Sequence, residues 1–305
     1  VPVVAVAAGQ LMGYGRAAMD AISDQTLPRL SHATLDVRSQ LRPAQRHALA
    51  LRDIAGGLAL WRLGFTLGWL DIKLKYRGSV LGPFWLTIST GVMVAAMGGL
   101  YGTLFHMDLR SYLPFLAMSL VLWNSIGGLV TEACSTFTQS DGVIRSVRMP
   151  FFVHALRVVV RTIVSFLHNL PVIFITFAVF GIWPSWVCLE SILGLMLWTI
   201  DAFAACFLLG AFCARFRDIP PIVGSVMQIA FFITPIVWRA DQLGRKGWWL
   251  PFNPFDSLLE IVRQPVLGQA ASIEVWTLSL VYSALLCAVS WLMFARVRAR
   301  LAYWM

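Results

Sequence analysis

Residues 73–85 read KLKYRGSVLGPFW: Lys73, Lys75 and Arg77 gather just ahead of a long apolar run, with Gly82-Pro83 at the boundary and Trp85 just beyond it. Positive charge beside a hydrocarbon-length run marks the side of a membrane on which a loop stays, and a tryptophan at the run's edge favours headgroup level. Gly82-Pro83 is a corner, because proline in a first helical turn forfeits no hydrogen bond. The stretch therefore predicts a helix that ends in cationic side chains, turns, and enters the first of a set of membrane spans.

Composition agrees. The chain of 305 residues is 58% hydrophobic and 13% charged, whereas a soluble domain carries about 25% charge. A chain so poor in ionisable groups reads as an all-helical, multi-pass membrane protein. Its net charge of +9 comes from clusters beside apolar runs and from the first 80 or so residues, a pattern of orientation and anionic lipid rather than of nucleic acid. Cys134, Cys188, Cys206, Cys213 and Cys287 form no CxxC pair and read as small buried hydrophobes. Residues 1–50 mix Arg, His, Pro, Ser and Gln without period, lack the plan of a secretory signal, and are expected to be a poorly ordered extension.

About 20 apolar residues cross the hydrocarbon core as a helix. Six runs qualify: 85–105, 112–133, 165–183, 186–212, 222–238 and 276–295, many ending in Trp or Tyr. Counting Lys and Arg loop by loop puts Lys73, Lys75, Arg77, Arg145, Arg148, Arg157, Arg215, Arg217, Arg296, Arg298 and Arg300 on one side. The other side has Arg110, Arg239, Arg245, Lys246 and Arg263. The larger set occupies every loop on its side, so both termini are expected to be cytoplasmic.

Two segments fall outside the spans. Over 54–76, Ile54, Leu58, Trp61, Phe65, Trp69, Ile72 and Tyr76 form one apolar stripe at 100° per residue. Leu60, Leu63, Leu67, Leu70 and Leu74 form a second, with Arg62, Thr66 and Lys73 between. A helix with two apolar faces can lie in the interface with one face in lipid and the other on a partner element. Asp53, Arg62, Asp71 and three glycines (Gly57, Gly64, Gly68) argue against a seventh span. Between spans five and six, Asn253 suits an N-cap, Pro254 the first helical position and Asp256 the first turn. That helix, stopped near Pro265 and Gly268, is too short to cross and reads as re-entrant or interfacial.

No phosphate-binding, dinucleotide-binding or nucleophile-elbow motif is present, and His32, His47, His106, His154 and His168 are dispersed. If the chain moves its cargo with ATP, another subunit hydrolyses it. Ionisable residues at membrane depth are suspects for function. Asp201 is mid-span, with Glu132, Arg161, His168 and Glu190 nearer the ends, where they can snorkel or pair within the bundle. A proton-coupled carrier with Asp201 as its proton site is one alternative, although such a carrier wants several groups together; a membrane enzyme would need a carboxylate or His-Asp cluster on a loop, and none is seen. Two charged connections look like docking elements. TQSDGVIRSVRMP (138–150) suits a short amphipathic helix capped by Ser140 or Asp141, with Val143, Ile144 and Val147 on one side and Arg145 and Arg148 on the other. RFRDIPP (215–221) is a charged turn.

KYRGSVLGPFW, SVRMP, ARFRDI and QIAFFITPIVW leading to NPFDSLLEIVR, in that order from about residue 54 onward, resemble the ABC-2-type permease subunits of polysaccharide exporters. The resemblance implies an inner-membrane homodimer of six-span subunits (transmembrane domain 85–300) served by two copies of a separate ATP-binding protein. This chain would itself bind no cofactor, ATP and Mg residing on the partner. It also implies that 54–76 is an interface helix, that 240–265 holds re-entrant helices over the outer mouth, and that 139–150 docks on the ATPase. The expected coupling residues are Ser140, Asp141, Val143, Ile144, Arg145, Val147, Arg148, Arg215, Arg217 and Asp218. Lys73, Lys75, Tyr76, Arg77, Gly82, Pro83 and Trp85 form the expected interface hinge, and Trp123, Phe231, Phe232, Trp238 and Asp201 the expected glycan pathway. The cargo implied is a lipid-linked polysaccharide; a permease of the same type for a small molecule or lipid remains the alternative.

Overall fold

The structure, a computed structural model, describes residues 43–304 except Phe105 and Arg148. Residues 46–305 form one compact unit. All regular elements among the described residues are helical: α1 (Pro43–Ala59), α2 (Trp61–Lys75), α3 (Phe84–Leu104), α4 (Leu109–Cys134), α5 (Asp141–Ser146), α6 (Phe151–Phe180), α7 (Glu190–Arg215), α8 (Ile219–Ile233), α9 (Pro254–Val266) and α10 (Ile273–Trp304). Short 3-10 turns precede α5 and α7, and another covers Ala240–Phe252.

Five of these helical stretches are long and apolar enough to cross a membrane: Phe84–Leu104, Leu109–Cys134, Phe151–Phe180, Trp186–Arg215 and Ile273–Leu301. The run expected as a fifth span, 222–238, is instead the 15-residue α8 followed by a bent, non-helical segment, 234–238, in which the Ile236 amide donates to the Thr234 carbonyl at 2.8 Å. Pro235 is the reason: proline pushes its predecessor out of the helical region, and Thr234 has φ −79° and ψ 140°. The third span also begins earlier than hydropathy predicts, at Phe151 rather than near 165. Arg157 and Arg161 lie inside it because carboxylates meet them there. Helix likewise begins at Pro43, within the stretch expected to lack order.

Hydrophobic cores occupy opposite ends of the bundle. One is built from Tyr112, Leu116, Leu120 and Trp123 of α4 with Val172, Ile173 and Phe177 of α6 and Leu259, Ile261 and Val262 of α9. The other joins Ala50 of α1, Ala133, Phe137, Phe152, Ala155, Phe207, Ala211 and Phe294. Phe152 stacks on Phe203 at 4.9 Å, and Phe207 meets Phe294 at 4.4 Å, which locks α6, α7 and α10 together. Helices α4, α6 and α7 run between the two cores in alternate directions, and α10 runs parallel to α7, with Trp276 near Glu190 at its start and Phe294 against Phe207 toward its end. As a result α1 and the C-terminal end of α10 share one end of the bundle, tied by the Arg298–Asp53 ion pair at 2.8 Å and by stacking of His47 on Trp291. The five cysteines are free thiols.

Candidate functional site

The α1–α2 segment does not seat itself by either apolar stripe. Its buried residues are Ala50, Asp53, Gly57, Gly64, Gly68 and Ile72. Glycine lets backbones approach, and here the approach is close: a Cβ on Gly68 would stand 2.8 Å from the Arg157 carbonyl oxygen, and one on Gly64 would stand 2.7 Å from the Leu156 side chain of α6. The expectation of one leucine or aromatic face against a partner is therefore corrected. The small face packs, and Trp61, Phe65, Trp69, Leu60, Leu63, Leu70 and Leu74 are exposed. The helix is also broken at Leu60 (φ −96°, ψ 22°) rather than running unbroken from 54 to 76.

Charge fastens what glycine lets in. Asp71 accepts from Nε and Nη2 of Arg157 and, at 3.1 Å, from Nη1 of Arg161. Arg161 Nε donates to Glu132 Oε2 at 2.8 Å, and Lys75 stands 3.8 Å from the same carboxylate. One network thus joins α2 to α4 and α6. Arginine's planar fork suits such bidentate pairing. Asp53 is used in the same way, accepting from the Phe152 amide at 3.1 Å and from Arg298. Both aspartates had counted only against a span in the sequence. The signal available was the Arg157/Arg161 spacing, four residues apart and so on one face of a helix.

Beyond α2 the chain turns sharply. Gly78 (φ +82°) and Gly82 (φ +55°) both occupy the left-handed region, and Ser79 Oγ accepts from the Gly82 amide at 3.0 Å. Pro83 directly precedes α3. Lys73 lies over the Trp69 ring at 5.9 Å and Lys75 over Tyr76 at 6.0 Å. Burial first, and the Glu132 carboxylate second, push the Tyr76 hydroxyl above its ordinary pKa. Arg77 and Trp85 are exposed.

The expected docking segment forms a 3-10 turn, Thr138–Ser140, and then α5, with Ser140 at the N-cap position and Asp141 in the first turn. Ser140 makes no side-chain capping bond to the helix. Val147 is extended and, like Val143, exposed; Ile144 is half-buried against the second core. The Arg145 side chain and Arg148 lie outside the described residues. Arg215 lies over the rings of Phe216 and Trp304 at 5.9 and 5.5 Å, while Arg217 and Asp218 are exposed.

At the opposite end Trp123, Phe231, Phe232 and Trp238 fall in one aromatic group. Trp123 approaches Phe231 at 6.0 Å and Phe255 at 5.6 Å, Phe231 meets Phe232 at 5.3 Å, and Trp238 Nε1 donates to the Phe232 carbonyl at 3.1 Å. Trp123 is only 7% exposed, whereas Phe232 is 68% exposed on α8. Asn253 caps α9 as expected, accepting from the Phe255 amide at 3.1 Å. Arg263 of α9, used in the sequence only to count charge, is fully buried. It donates to Ser119 Oγ at 2.7 Å and to the Pro235 carbonyl, pairs with Glu260, and lies 4.5 Å from the Phe115 ring. Glu190 accepts from Trp276 Nε1 at 2.6 Å. Asp201 stands apart from the aromatic group, accepting from Ser283 Oγ at 2.7 Å.

These features define a helical membrane protein with no clustered His, Cys, Asp or Glu suited to a metal among the described residues. Residues 62–267 match the ABC-2 type transporter family, and the chain belongs to that membrane family. It is similar to an O-antigen export system permease protein RfbA of Myxococcus xanthus, 25% identical over 193 residues, covering 62% of this chain and 74% of the relative. A Klebsiella pneumoniae protein of the same name is 23% identical over 237 residues, 76% of this chain and 90% of the relative.

Proposed function

We propose that this chain is the permease subunit of an ATP-driven exporter that moves a lipid-linked polysaccharide, of O-antigen or capsular type, across the inner membrane. The observation that carries the reading is the similarity to O-antigen export permeases, which extends over as much as 90% of a relative's length. Two copies of the chain enclose the channel, and two copies of a separate ATP-binding subunit supply ATP and Mg chemistry from the cytoplasm. The permease itself makes and breaks no covalent bond.

In this reading α2 lies along the cytoplasmic interface. Its exposed Trp61, Phe65 and Trp69 enter lipid while Lys73 and Arg77 meet anionic headgroups. Segment 138–150, with Arg215, Arg217 and Asp218, docks on the ATPase. Nucleotide turnover shifts that segment, and the Asp71–Arg157–Arg161–Glu132 network relays the shift between α2 and the spans. A 15-residue helix extends only ~22 Å at 1.5 Å per residue, so α8 crosses the membrane together with the non-helical 234–238 segment. The 240–252 turn and α9 re-enter from the outer side, and Trp123, Phe231, Phe232 and Trp238 offer rings on which sugar faces slide.

Deletion of the gene tests the function. Surface polysaccharide is expected to vanish while lipid-linked polymer accumulates inside, with rescue by the wild-type chain. Unchanged surface polysaccharide would point to a small-molecule or lipid cargo. Copurification with an ATP-binding subunit, lost when Arg145 and Arg148 become Glu, tests the docking segment.

A further inference from the structure

Between α4, α6 and α7, and bounded at one end by α9, lies a cavity of about 300 Å3. That is the lower end of the range typical of small-molecule sites, ~300–1,000 Å3. Ile126, Val159, Phe166, Trp198, Ala205 and Leu258 supply much of an almost wholly apolar wall. Asp201 is the one ionisable residue in the lining. It is only 7% exposed; one carboxylate oxygen accepts from Ser283, and the other, Oδ1, has no partner.

The neighbours do not repair this. Ser125, Thr162 and Thr199 are the hydroxyl-bearing residues of the lining, and the two threonine hydroxyls donate to the Val158 and Leu195 carbonyls of their own helices at 3.1 and 2.9 Å. A trapped water needs two to four polar partners, and an almost wholly apolar wall offers few. An unpaired acceptor in apolar surroundings is unfavourable until a donor arrives. The donor has a route from lipid: Ile163 and Leu167, which also line the cavity, are 41% and 52% exposed on α6.

We propose that this cavity binds a small amphiphile with a hydrocarbon body and a single hydrogen-bond-donating head, a hydroxyl or an ammonium, which meets Asp201 Oδ1. The body replaces the lipid-like contacts of the entrance, and the head satisfies the orphan oxygen. The cavity adjoins the aromatic group through Phe255, which lines it and meets Trp123 at 5.6 Å, but the proposal does not depend on the identity of the exported cargo.

Photolabelling tests it on the full chain in lipid nanodiscs, using three diazirine-bearing probes of equal chain length: an octanol, an octylamine and an octane. Insertion is read by mass spectrometry over 190–215. The octanol, the octylamine or both are expected to label Asp201 and its neighbours about fivefold more than the octane, the gain from one hydrogen bond. Ala205→Leu, which fills the cavity, should remove that excess. Where the variant does not fold, excess unlabelled octanol or octylamine should suppress labelling while excess octane does not. Octanol alone identifies a neutral head. Octylamine alone, with loss of its labelling in Asp201→Asn, identifies a cationic one. Equal labelling by all three probes, or labelling indifferent to Ala205→Leu and to competitors, overturns the proposal.

Discussion

Two polar clusters hold this bundle together, and they are built on opposite plans. The α2 cluster shares charge among Asp71, Lys75, Glu132, Arg157 and Arg161, spans three helices and grades from half-buried arginines to a lysine with 54% of its side chain exposed. The α9 cluster concentrates everything on Arg263, 1% exposed, with one carboxylate, one hydroxyl, one carbonyl and one ring. A distributed network can lose a member and redistribute; a single buried cation cannot. In the proposed exporter the first plan suits an element that shifts and the second an element that stays.

The sharpest way to break the contrast is Arg263→Ala. Removing one partner of a buried pair is expected to destabilise by about 3–5 kcal/mol, and the purified protein should lose its thermal transition. Arg263→Met with Glu260→Gln, which leaves no buried charge on either side, should recover much of it. Next comes Gly68→Leu, where overpacking destabilises by about 1–3 kcal/mol. Because the obstacle is the Arg157 carbonyl, α2 should lift from α6, with faster proteolysis near residues 60–80 and loss of export while the spans stay folded.

Asp256 sharpens the α9 side through pH. Burial, and secondarily the Glu260 carboxylate, push its pKa up to about 7, against the lowering effect of Arg263. The folded form holds its proton after the unfolded chain has released it, so between about pH 4 and 7 the native state binds more protons and stability falls as pH rises. The Tm advantage of Asp256→Asn over wild type should therefore be larger at pH 8 than at pH 5; an advantage independent of pH would contradict this. The smallest effect belongs to Lys75→Ala. Its 3.8 Å contact with Glu132 is half in solvent, so a change within about 0–1 kcal/mol is expected by thermal melting.

Most of the bundle was legible in the sequence because apolar length is a strong signal, and the α9 cap was legible because Asn253-Pro254 is a local one. The departures have a common physical origin. Hydropathy treats Arg157 and Arg161 as loop charges, yet paired with Asp71 and Glu132 they extend a membrane helix inward. The two apolar stripes of 54–76 suggested a packing face, but steric closeness at Gly64 and Gly68 decided the contact. Pro235 was visible; that its carbonyl would accept a hydrogen bond from Arg263, 28 residues further on, and so be satisfied outside a helix was not. Asp201 was visible as a lone charge, but its company, Ser283 and an apolar cavity, comes from helices far away in sequence.

The Gly78–Gly82 turn has a mechanical consequence. With two left-handed glycines and a fully exposed Val80 between them, the backbone joining α2 to α3 packs on no other helix at its tip. In the proposed exporter, a shift of α2 would therefore pass sideways, through guanidinium and carboxylate, into α4 and α6, the helices that flank the 138–150 segment. Lengthening the joint by one or two residues should thus be tolerated, whereas severing its lateral ties should not.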